Sequence, residues 1–313
     1  MRLILPAQFW RGGRRQPRSH RVRYLRPVTD NCAILLIHCP DRSGLVALVT
    51  EFVHKNRGNI LNLDQHVDRH LGHFFMRIEW QLDDFVIPRD KIDDYFATLI
   101  GRANDMQWQL HFTDRKPRMA LFVSKASHCL YDILQRYGTG EFDCEIPLIV
   151  SNHTSLQPIA ERFGIPFEQI VITKENKGEQ EKRTKELLGE HGVDLIILAR
   201  YMQILSDDFC ASFPNRIINI HHSFLPAFKG ARPYHNAFHR GVKLIGATSH
   251  YVTADLDEGP IIAQDVAPVS HRDEIDDLKR IGRDVEKRVL SKAIYYQLQH
   301  RVLPFGNRTV IFN

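Results

Sequence analysis

The 313-residue sequence has few cysteines and no long apolar run, and both absences narrow its class. Its five cysteines are scattered and never spaced as Cys-x-x-Cys, which argues against a disulfide framework or a structural zinc site. We therefore expect a reducing, cytoplasmic location. No stretch approaches the roughly 20 apolar residues of a membrane-spanning helix, so we expect no membrane partner.

Acidic residues are absent from residues 1–29, which carry eight arginines. The net charge of +5 for the chain therefore divides into +8 for this arm and −3 for the rest. Because the chain after residue 29 is mildly acidic, we expect no nucleic-acid partner. We interpret residues 1–29 as a disordered basic extension or a wrongly assigned start, with a nucleic-acid tail and a transit peptide as alternatives.

The pattern at residues 30–113 is typical of a small antiparallel domain. An apolar run at 33–37 predicts a buried strand, and apolar residues recur at helical spacing from Leu45 to Val53. A hairpin at 59–69 and 73–82, a helix at 92–100 and a strand at 107–112 complete a βαββαβ order, which predicts a ferredoxin-like fold. The polar, proline-bearing residues 114–118 are the predicted linker.

Residues 119–313 show a different alternation. Apolar strands at 119–123, 146–150, 193–198 and 217–220 are separated by helical stretches, and a long helix is predicted at 274–300. This order predicts a mainly parallel α/β sheet with helices on both faces. Sites in such sheets lie at the carboxyl ends of the strands.

Two polar side chains end the strand predicted at 217–220. Asn219 and His221 are two residues apart, so their side chains point to the same face. A loop after a later strand adds Asp255, Asp257 and Glu258. The pattern alone fits a reaction site and a set of satisfied polar groups equally well. His235 and His239 have the i, i+4 spacing of metal ligands, but no carboxylate accompanies them in an HExxH pattern. His66, His70 and His73 span the predicted hairpin, which scatters their side chains, so we predict no metal.

A family resemblance decides between these interpretations. The segment NIHHSFLPAFKGARPYHNAF, followed by GATSHYVTADLDEGPII, resembles the signature of the folate-dependent formyltransferase family. The resemblance implies 10-formyltetrahydrofolate as substrate, no separate cofactor, and Asn219, His221 and Asp257 as catalytic residues. The segment ILARYMQILS resembles the pterin-binding strand and turn of the family. The residues that we assign to substrate binding are Met202, Gln203, Ile204, Leu205, His222, His250, Asp255 and Gly259.

The three catalytic candidates suit attack on a formyl carbon. The tetrahedral oxyanion needs preorganised donors, which the Asn219 amide and a protonated His221 supply. Asp257 keeps His221 charged or passes a proton through water, and the same pair protonates the leaving N10 nitrogen.

The first domain resembles an ACT domain, the amino-acid-sensing βαββαβ module, at CPDRSGL and GNI. This resemblance implies a homo-oligomer and a small amino-acid effector, with glycine or methionine as the first ligands to test. The predicted turn before the first helix suits a carboxylate, and two asparagines of the next strand suit an amino group. The effector-binding candidates are Asp41, Arg42, Ser43, Gly44, Asn59 and Asn62. A purely architectural domain is the alternative.

An ACT domain ahead of a formyltransferase-like domain resembles the layout of the formyltetrahydrofolate deformylases. That layout implies hydrolysis of 10-formyltetrahydrofolate to formate and tetrahydrofolate, and a place in one-carbon metabolism and purine biosynthesis. The alternatives are a formyltransferase acting on an amine and a non-catalytic amino-acid sensor.

The turn at 123–129 contains no glycine, so we expect no pocket for a phosphorylated amine and water as the nucleophile. His222 stands where the amine-formylating relatives carry proline. It either helps to position that water or makes a structural hydrogen bond.

Overall fold

The computed structural model describes residues 31–226 and 233–313, and the basic arm predicted at residues 1–29 lies outside these described residues. The first sheet has four strands in the order β2-β3-β1-β4, and every neighbouring pair is antiparallel. Its elements are β1 Cys32–Pro40, α1 Leu45–Lys55, β2 Asn59–Asp68, β3 His73–Gln81, α2 Ile92–Phe96 and β4 Gln107–Phe112. The predicted ferredoxin-like βαββαβ arrangement is confirmed.

Strand β1 is apolar throughout because it lies between two cores. Leu35 and Ile37 pack with the apolar residues of α1 and α2. Leu36 points to the opposite face and packs with Phe75 of β3 and Leu303 near the C-terminus. A strand with one wet face would alternate, so the continuous run records burial on both sides.

The second sheet has seven strands in the order β11-β10-β9-β8-β5-β6-β7. They are β5 Arg118–Val123, β6 Glu145–Ser151, β7 Phe167–Gln169, β8 Leu195–Leu198, β9 Ile217–His221, β10 Leu244–Tyr251 and β11 Ile261–Pro268. Strands β5 to β9 are parallel, whereas β10 and β11 are antiparallel to their neighbours. The mainly parallel α/β sheet is therefore confirmed.

Helices cover both faces of this sheet. They are α3 His128–Gly138, α4 Gln157–Arg162, α5 Lys177–Glu190, α6 Asp207–Ser212, α7 Pro233–Arg240 and α8 Ile275–Leu298. Along β5, Leu121 packs in the core beneath α3 and α8, and Phe122 packs in the core beneath α5 and α6. None of the described helices is both long enough and apolar enough to cross a membrane.

A C-terminal hairpin, β12 Val302–Phe305 and β13 Arg308–Ile311, returns to the first sheet. The buried Arg77 of β3 fastens this return, since its Nε donates to the His300 carbonyl at 3.0 Å and its Nη2 to the Gln299 carbonyl at 3.3 Å. The sequence patterns did not predict this hairpin.

Strand order opens a cleft at the carboxyl ends of the central strands. From β5 the chain moves outward to β6 and β7, then returns to β8 on the other side of β5. The loops that follow β5 and β8 therefore diverge at this point, where open α/β sheets bind their ligands.

Candidate active site

Strand β9 brings the predicted pair, Asn219 and His221, into one cavity with His250 of the neighbouring strand β10. Asn219 and His250 are direct partners in the β9–β10 register, and Asn219 Nδ2 lies 3.3 Å from His250 Nε2. Residues two apart share a face of a strand, and cross-strand partners share it too. The sheet therefore places all three side chains together.

Asp257 reaches this group from the loop between β10 and β11. Its Oδ2 lies 3.1 Å from His221 Nδ1, and its Oδ1 lies 3.6 Å from His250 Nε2. The backbone of Asp257 is left-handed, with φ +56°, a conformation that Asp tolerates better than most residues. A carboxylate is thus held at the side of the histidine pair.

Gly259 has a structural reason within the same loop. A Cβ at this position would lie 1.8 Å from the carbonyl oxygen of Tyr251, which ends β10. Only glycine permits this approach of the loop to the strand. The residue shapes the loop that carries Asp257, and it is not among the described residues lining the cavity.

The electrostatics of Asp257 favour its charged form. Burial raises the pKa of this carboxyl, but hydrogen bonds and charge from His221 and His250 outweigh that effect and hold the pKa below its usual range. Asp257 is therefore ionised at neutral pH. An ionised carboxylate accepts the Nδ1 proton of His221 and leaves Nε2 as the reactive nitrogen of the ring.

That second nitrogen has a distinctive environment. His221 is 6% exposed, and its Nε2 is buried without a hydrogen-bond partner among the described residues. An unpaired buried polar atom is costly unless a ligand completes it. Since His221 lines the cavity, Nε2 is the atom that a bound substrate would meet.

The two ring nitrogens of His250 contact different partners. Its Nδ1 lies 2.8 Å from the carbonyl oxygen of Tyr251, which only accepts, so Nδ1 carries a proton. A neutral His250 ring then accepts from the Asn219 amide at Nε2, whereas a doubly protonated ring donates from Nε2 toward Asp257. His250 thus links two of the catalytic candidates.

The cavity has a volume of about 470 Å³ and a mixed wall. It contains the predicted Met202, Gln203, Ile204, Leu205 and His222 together with the catalytic candidates. Met202 and Ile204 are 61% and 64% exposed, which leaves apolar surface at the mouth available to a planar ligand. The Met202 backbone N–H donates to Ser124 Oγ at 3.0 Å, so the loop after β8 is fastened to the loop after β5.

The residues of this wall differ in part from those predicted. Asp255 is exposed and is not among the described residues of the cavity wall, unlike Asp257 two positions later. The structure also adds Tyr201, Val252, Thr253 and Leu256, which sequence reasoning missed. The sequence pattern around these four residues did not set them apart, because they are ordinary apolar or polar residues of two loops.

A second cavity of about 520 Å³ adjoins the first, and Arg200 and His222 line both. Its wall includes residues 125–128, together with Lys279 and Arg283 of α8. The expectation of no acceptor pocket beside the glycine-free turn is therefore wrong. The space between the turn and α8 is open.

A buried glutamate organises the wall of this second cavity. Glu286 of α8 is 1% exposed, and its carboxylate lies 2.7 Å from both His128 Nε2 and Tyr234 Oη and 3.5 Å from Arg200 Nε. Burial raises the pKa of Glu286, but His128, Arg200 and Tyr234 together lower it further than burial raises it. The sequence signal was a charged residue between Val285 and Val289 on the apolar face of α8.

The same cluster contains a potential metal triad, since ligand atoms of His128, Cys129 and Glu286 lie within 4.8 Å of one another. Burial is the main cause that raises the pKa of the Cys129 thiol, so it stays protonated. Glu286 is already held by two hydrogen bonds and a guanidinium. A cation would have to displace these groups, so the donor set does not suit a metal.

His222 lies between the two cavities. Burial, reinforced by the charge of Arg200, lowers its pKa to about 4, so its ring is neutral at physiological pH. The ring stacks on His221 with centroids 5.2 Å apart. His222 is therefore an uncharged polar group beside the reactive histidine.

The predicted effector residues are separated within one chain. Asn59 pairs with Gln81 at one end of the first sheet, whereas the 41–44 turn follows Pro40, which pairs with His73 at the other end. A nine-residue strand separates them, a length of roughly 30 Å. Asn59 also donates to the side chain of Gln81 at 2.6 Å.

The chain is similar to several known proteins. Residues 117–294 match the formyl transferase family. A formyltetrahydrofolate deformylase from Synechocystis sp. is 56% identical over 282 residues, which cover 90% of this chain and 98% of that relative. The crystal structure of a formyltetrahydrofolate deformylase from Pseudomonas syringae pv. tomato superposes with a TM-score of 0.88 at 43% identity and covers 91% of this chain and 95% of its own.

A glycinamide ribonucleotide transformylase from Symbiobacterium toebii is also similar, with a TM-score of 0.61 at 32% identity. This match covers 66% of the present chain and 98% of that chain. The likeness to the transformylase thus leaves about a third of the present chain unmatched, whereas the likeness to the deformylases includes both sheets.

Proposed function

The chain belongs to the formyltetrahydrofolate deformylase family, and from this premise we propose that it hydrolyses 10-formyltetrahydrofolate to formate and tetrahydrofolate. The observation that carries this proposal is the state of His221. Its Nδ1 is bound by an ionised Asp257, its buried Nε2 has no partner among the described residues, and His221 is one of the residues that line the cavity. The His221 ring therefore has one nitrogen fixed by a carboxylate and one nitrogen available to a reacting group.

In this mechanism Asn219 and His221 stabilise the oxyanion. Water attacks the formyl carbon, and the carbonyl oxygen takes up the negative charge of the tetrahedral intermediate. The Asn219 amide and the Nε2–H of a protonated His221 donate to that oxygen, and the carboxylate of Asp257 accepts from Nδ1 of the same ring. His250 Nε2, 3.3 Å from Asn219 Nδ2, orients the amide for this task.

Proton transfers complete the reaction. The attacking water gives one proton to Asp257, and the C–N10 bond breaks as His221 gives the Nε2 proton to N10. Formic acid gives its proton to solvent and leaves as formate, and the proton on Asp257 returns to the imidazole through solvent. One water is consumed and one N–H bond is formed, so the atoms balance without a metal or a redox cofactor.

Transfer to an amine is the second candidate, and the cavity beside residues 125–128 favours it specifically. Lys125, Arg200, Lys279 and Arg283 give that cavity a basic wall suited to an anionic acceptor. The family match favours water instead, with the neutral His222 to hold it. A non-catalytic sensor is the weakest candidate because Asn219, His221 and Asp257 are all present and close together.

Formate release decides between these functions. Purified protein is incubated with 10-formyltetrahydrofolate alone, and formate and tetrahydrofolate are measured in parallel. Hydrolysis predicts equal amounts of both products without any amine. A rate that stays negligible until glycinamide ribonucleotide is added would support transfer, and no turnover under either condition would support the sensor.

Regulation, assembly and location are further parts of the proposal. A small amino acid, glycine or methionine, acts through the first sheet, and the separation of the 41–44 turn from Asn59 means that a shared site would need a second copy of the chain. Strands β2 and β4 form the edges of that sheet and are the surfaces on which copies would associate. All five cysteines are buried, which suits a reducing cytoplasm.

A further inference from the structure

The second cavity, of about 520 Å³, opens beside the reacting group, although none of Asn219, His221 and Asp257 lines it. Arg200 and His222 form its border with the first cavity, since both residues line the two spaces. The ring centroid of His222 lies 5.2 Å from that of His221. A small molecule released at His221 is therefore formed next to this second space.

The first cavity offers a small anion little to bind. Arg200 is the only lysine or arginine among the described residues of its wall, and the low pKa of Asp257 keeps that carboxylate ionised. After the proton transfers of the proposed hydrolysis, formate and Asp257 are two anions in one cavity. Because like charges repel, formate is driven away from Asp257 and toward Arg200, at the border of the second cavity.

Arg200 has an unused donor at this border. Its backbone is left-handed, with φ +64°, a conformation that residues other than glycine rarely adopt. Its Nε is buried without a hydrogen-bond partner among the described residues, and Glu286 Oε2 lies 3.5 Å away as an ion-pair partner only. A buried N–H without an acceptor is costly, so a ligand that accepts from Nε would be stabilised.

Glu286 holds Arg200 in place without occupying this donor. The Glu286 carboxylate is 2.7 Å from His128 Nε2 and accepts a hydrogen bond of 2.7 Å from Tyr234 Oη. A Cβ at Gly282 would lie 2.1 Å from the same Oη, so the glycine permits Tyr234 to reach the carboxylate. The charge of Glu286 is thus fixed by these contacts on one side of the guanidinium.

The rest of the wall adds positive charge. Lys125 and Arg283 line the cavity and form no ion pair with a carboxylate among the described residues. Arg283 Nε donates to the carbonyl oxygen of Lys279 at 3.3 Å, and Lys279 itself pairs with Asp276 at 2.9 Å. Two cations of the wall are therefore available to an anionic ligand, in addition to Arg200.

We propose that the second cavity is a binding site for formate, which passes Arg200 and leaves the reaction site while tetrahydrofolate still occupies the first cavity. A carboxylate matches the planar fork of a guanidinium. The origin of the formate rests on the proposed hydrolysis, whereas its binding in this cavity does not.

Binding is measured without turnover from the line broadening of the formate proton resonance in NMR spectra. Sodium formate is titrated with the full-length protein, first alone and then saturated with tetrahydrofolate under argon. We expect broadening in both titrations, because the two ligands occupy different cavities. No broadening with the free protein overturns the proposal, and so does its loss when tetrahydrofolate is added, since formate would then occupy the first cavity.

Variants locate the site. Arg200→Gln should raise the dissociation constant of formate about tenfold or more, the usual loss for a charge-assisted hydrogen bond. Arg283→Gln is a second variant if Arg200→Gln fails to fold, because Arg283 is exposed and lines only the second cavity. It should raise the same constant about threefold, as expected for an exposed charge.

Arg280→Gln is the matched control. Arg280 lies on the same helix as Arg283, pairs with Asp277 and does not line the cavity. The control should bind formate as the wild type does. Equal affinity in the wild type, the control and both cavity variants would overturn the proposal.

Inorganic phosphate is the second probe, because the same basic wall would also suit the phosphate of an amine acceptor. Formate binding that depends on Arg200 or Arg283 supports the proposal, whether or not phosphate competes. Phosphate binding that depends on these residues, with no binding of formate, would overturn the proposal and assign the cavity to a phosphorylated amine.

The connection to the reaction has its own test, in which tetrahydrofolate formation is followed in the presence of added formate. Formate that occupies the second cavity retains the next formate at the reaction site, so it should lower kcat and leave KM within a small factor. A rise in KM with unchanged kcat would contradict the proposal. Absence of tetrahydrofolate formation by the wild type under every condition refutes the proposed function instead, and the NMR titrations still decide the site.

Discussion

Replacing Asp257 with asparagine should lower kcat by about a hundredfold or more while leaving KM within a small factor. Asparagine has nearly the same shape and also tolerates the left-handed backbone, with φ +56°, that the loop imposes. Its amide oxygen still accepts from His221 Nδ1. The variant therefore removes the negative charge of residue 257 and its ability to take up a proton from the attacking water. It changes little else.

The size of the effect follows from the geometry. Two unit charges at the 3.1 Å between Asp257 Oδ2 and His221 Nδ1 attract by about 5 kcal/mol at an effective dielectric constant of 20. That figure is an upper bound, since desolvation of the carboxylate opposes it. A hundredfold loss corresponds to about 2.7 kcal/mol of transition-state stabilisation, which lies within the bound.

The assay is initial-rate formate release over a range of 10-formyltetrahydrofolate concentrations. Asp255→Asn is the matched control, because Asp255 lies in the same loop but is exposed and not part of the described cavity wall. The control should retain wild-type kcat. If Asp257→Asn kept more than about a tenth of wild-type kcat, or if both variants lost activity equally, the role argued for Asp257 would be wrong.

Three further predictions use other observations. His221→Ala should lower kcat by about a hundredfold or more with little change in folate affinity, measured by calorimetry, and a parallel loss of affinity would instead assign His221 to binding. Gly259→Ala should lower both kcat and the thermal midpoint, because its Cβ would lie 1.8 Å from the Tyr251 carbonyl oxygen; a variant with the wild-type midpoint would show that the loop relaxes freely. His111 has its pKa lowered by burial to about 4, so between pH 6.5 and 4 the unfolded chain binds a proton that the folded chain does not, and stability should fall with decreasing pH. Denaturant titrations at pH 7 and 5 should show His111→Gln losing less stability than the wild type, by up to about 1.4 kcal/mol per pH unit, and identical losses would contradict the assignment.

The sequence predicted that Asn219 and His221 lie together because the information for this is local. Asn219 and His221 are two residues apart on one strand, and the period of a strand alone places them on one face. Asp257 is different, since it reaches the pair from a loop whose path depends on a left-handed residue and a close glycine contact. The pattern indicated three acids in that loop, and only the family resemblance singled out Asp257 among them.

The cavity beside residues 125–128 could not be predicted from a local pattern. The missing glycine at residues 123–129 predicts that a ligand cannot lie close to the backbone of that turn. It carries no information on the space in front of the turn, because that space is bounded by Lys279 and Arg283 more than 150 positions later in the chain. Cavities between distant elements are a property of packing and leave no local pattern.

The effector prediction remains open for a related reason. The residues from Asp41 to Gly44 and Asn59 lie within 20 positions of each other, and proximity along the chain made a shared site plausible. Helix α1 and the antiparallel register instead carry them to opposite ends of one strand. Sequence distance is a poor guide to spatial distance across a helix that runs the length of a sheet.

We propose that the choice between water and an amine as nucleophile is made where the two cavities meet. Arg200 and His222 line both cavities, and His222 stacks on His221. Because burial and the charge of Arg200 keep His222 neutral, its ring nitrogens offer both a donor and an acceptor, which is the pattern that orders a water molecule. A proline at this position would offer neither. In the proposed mechanism the same catalytic candidates suit transfer or hydrolysis, and a neutral His222 beside them favours water.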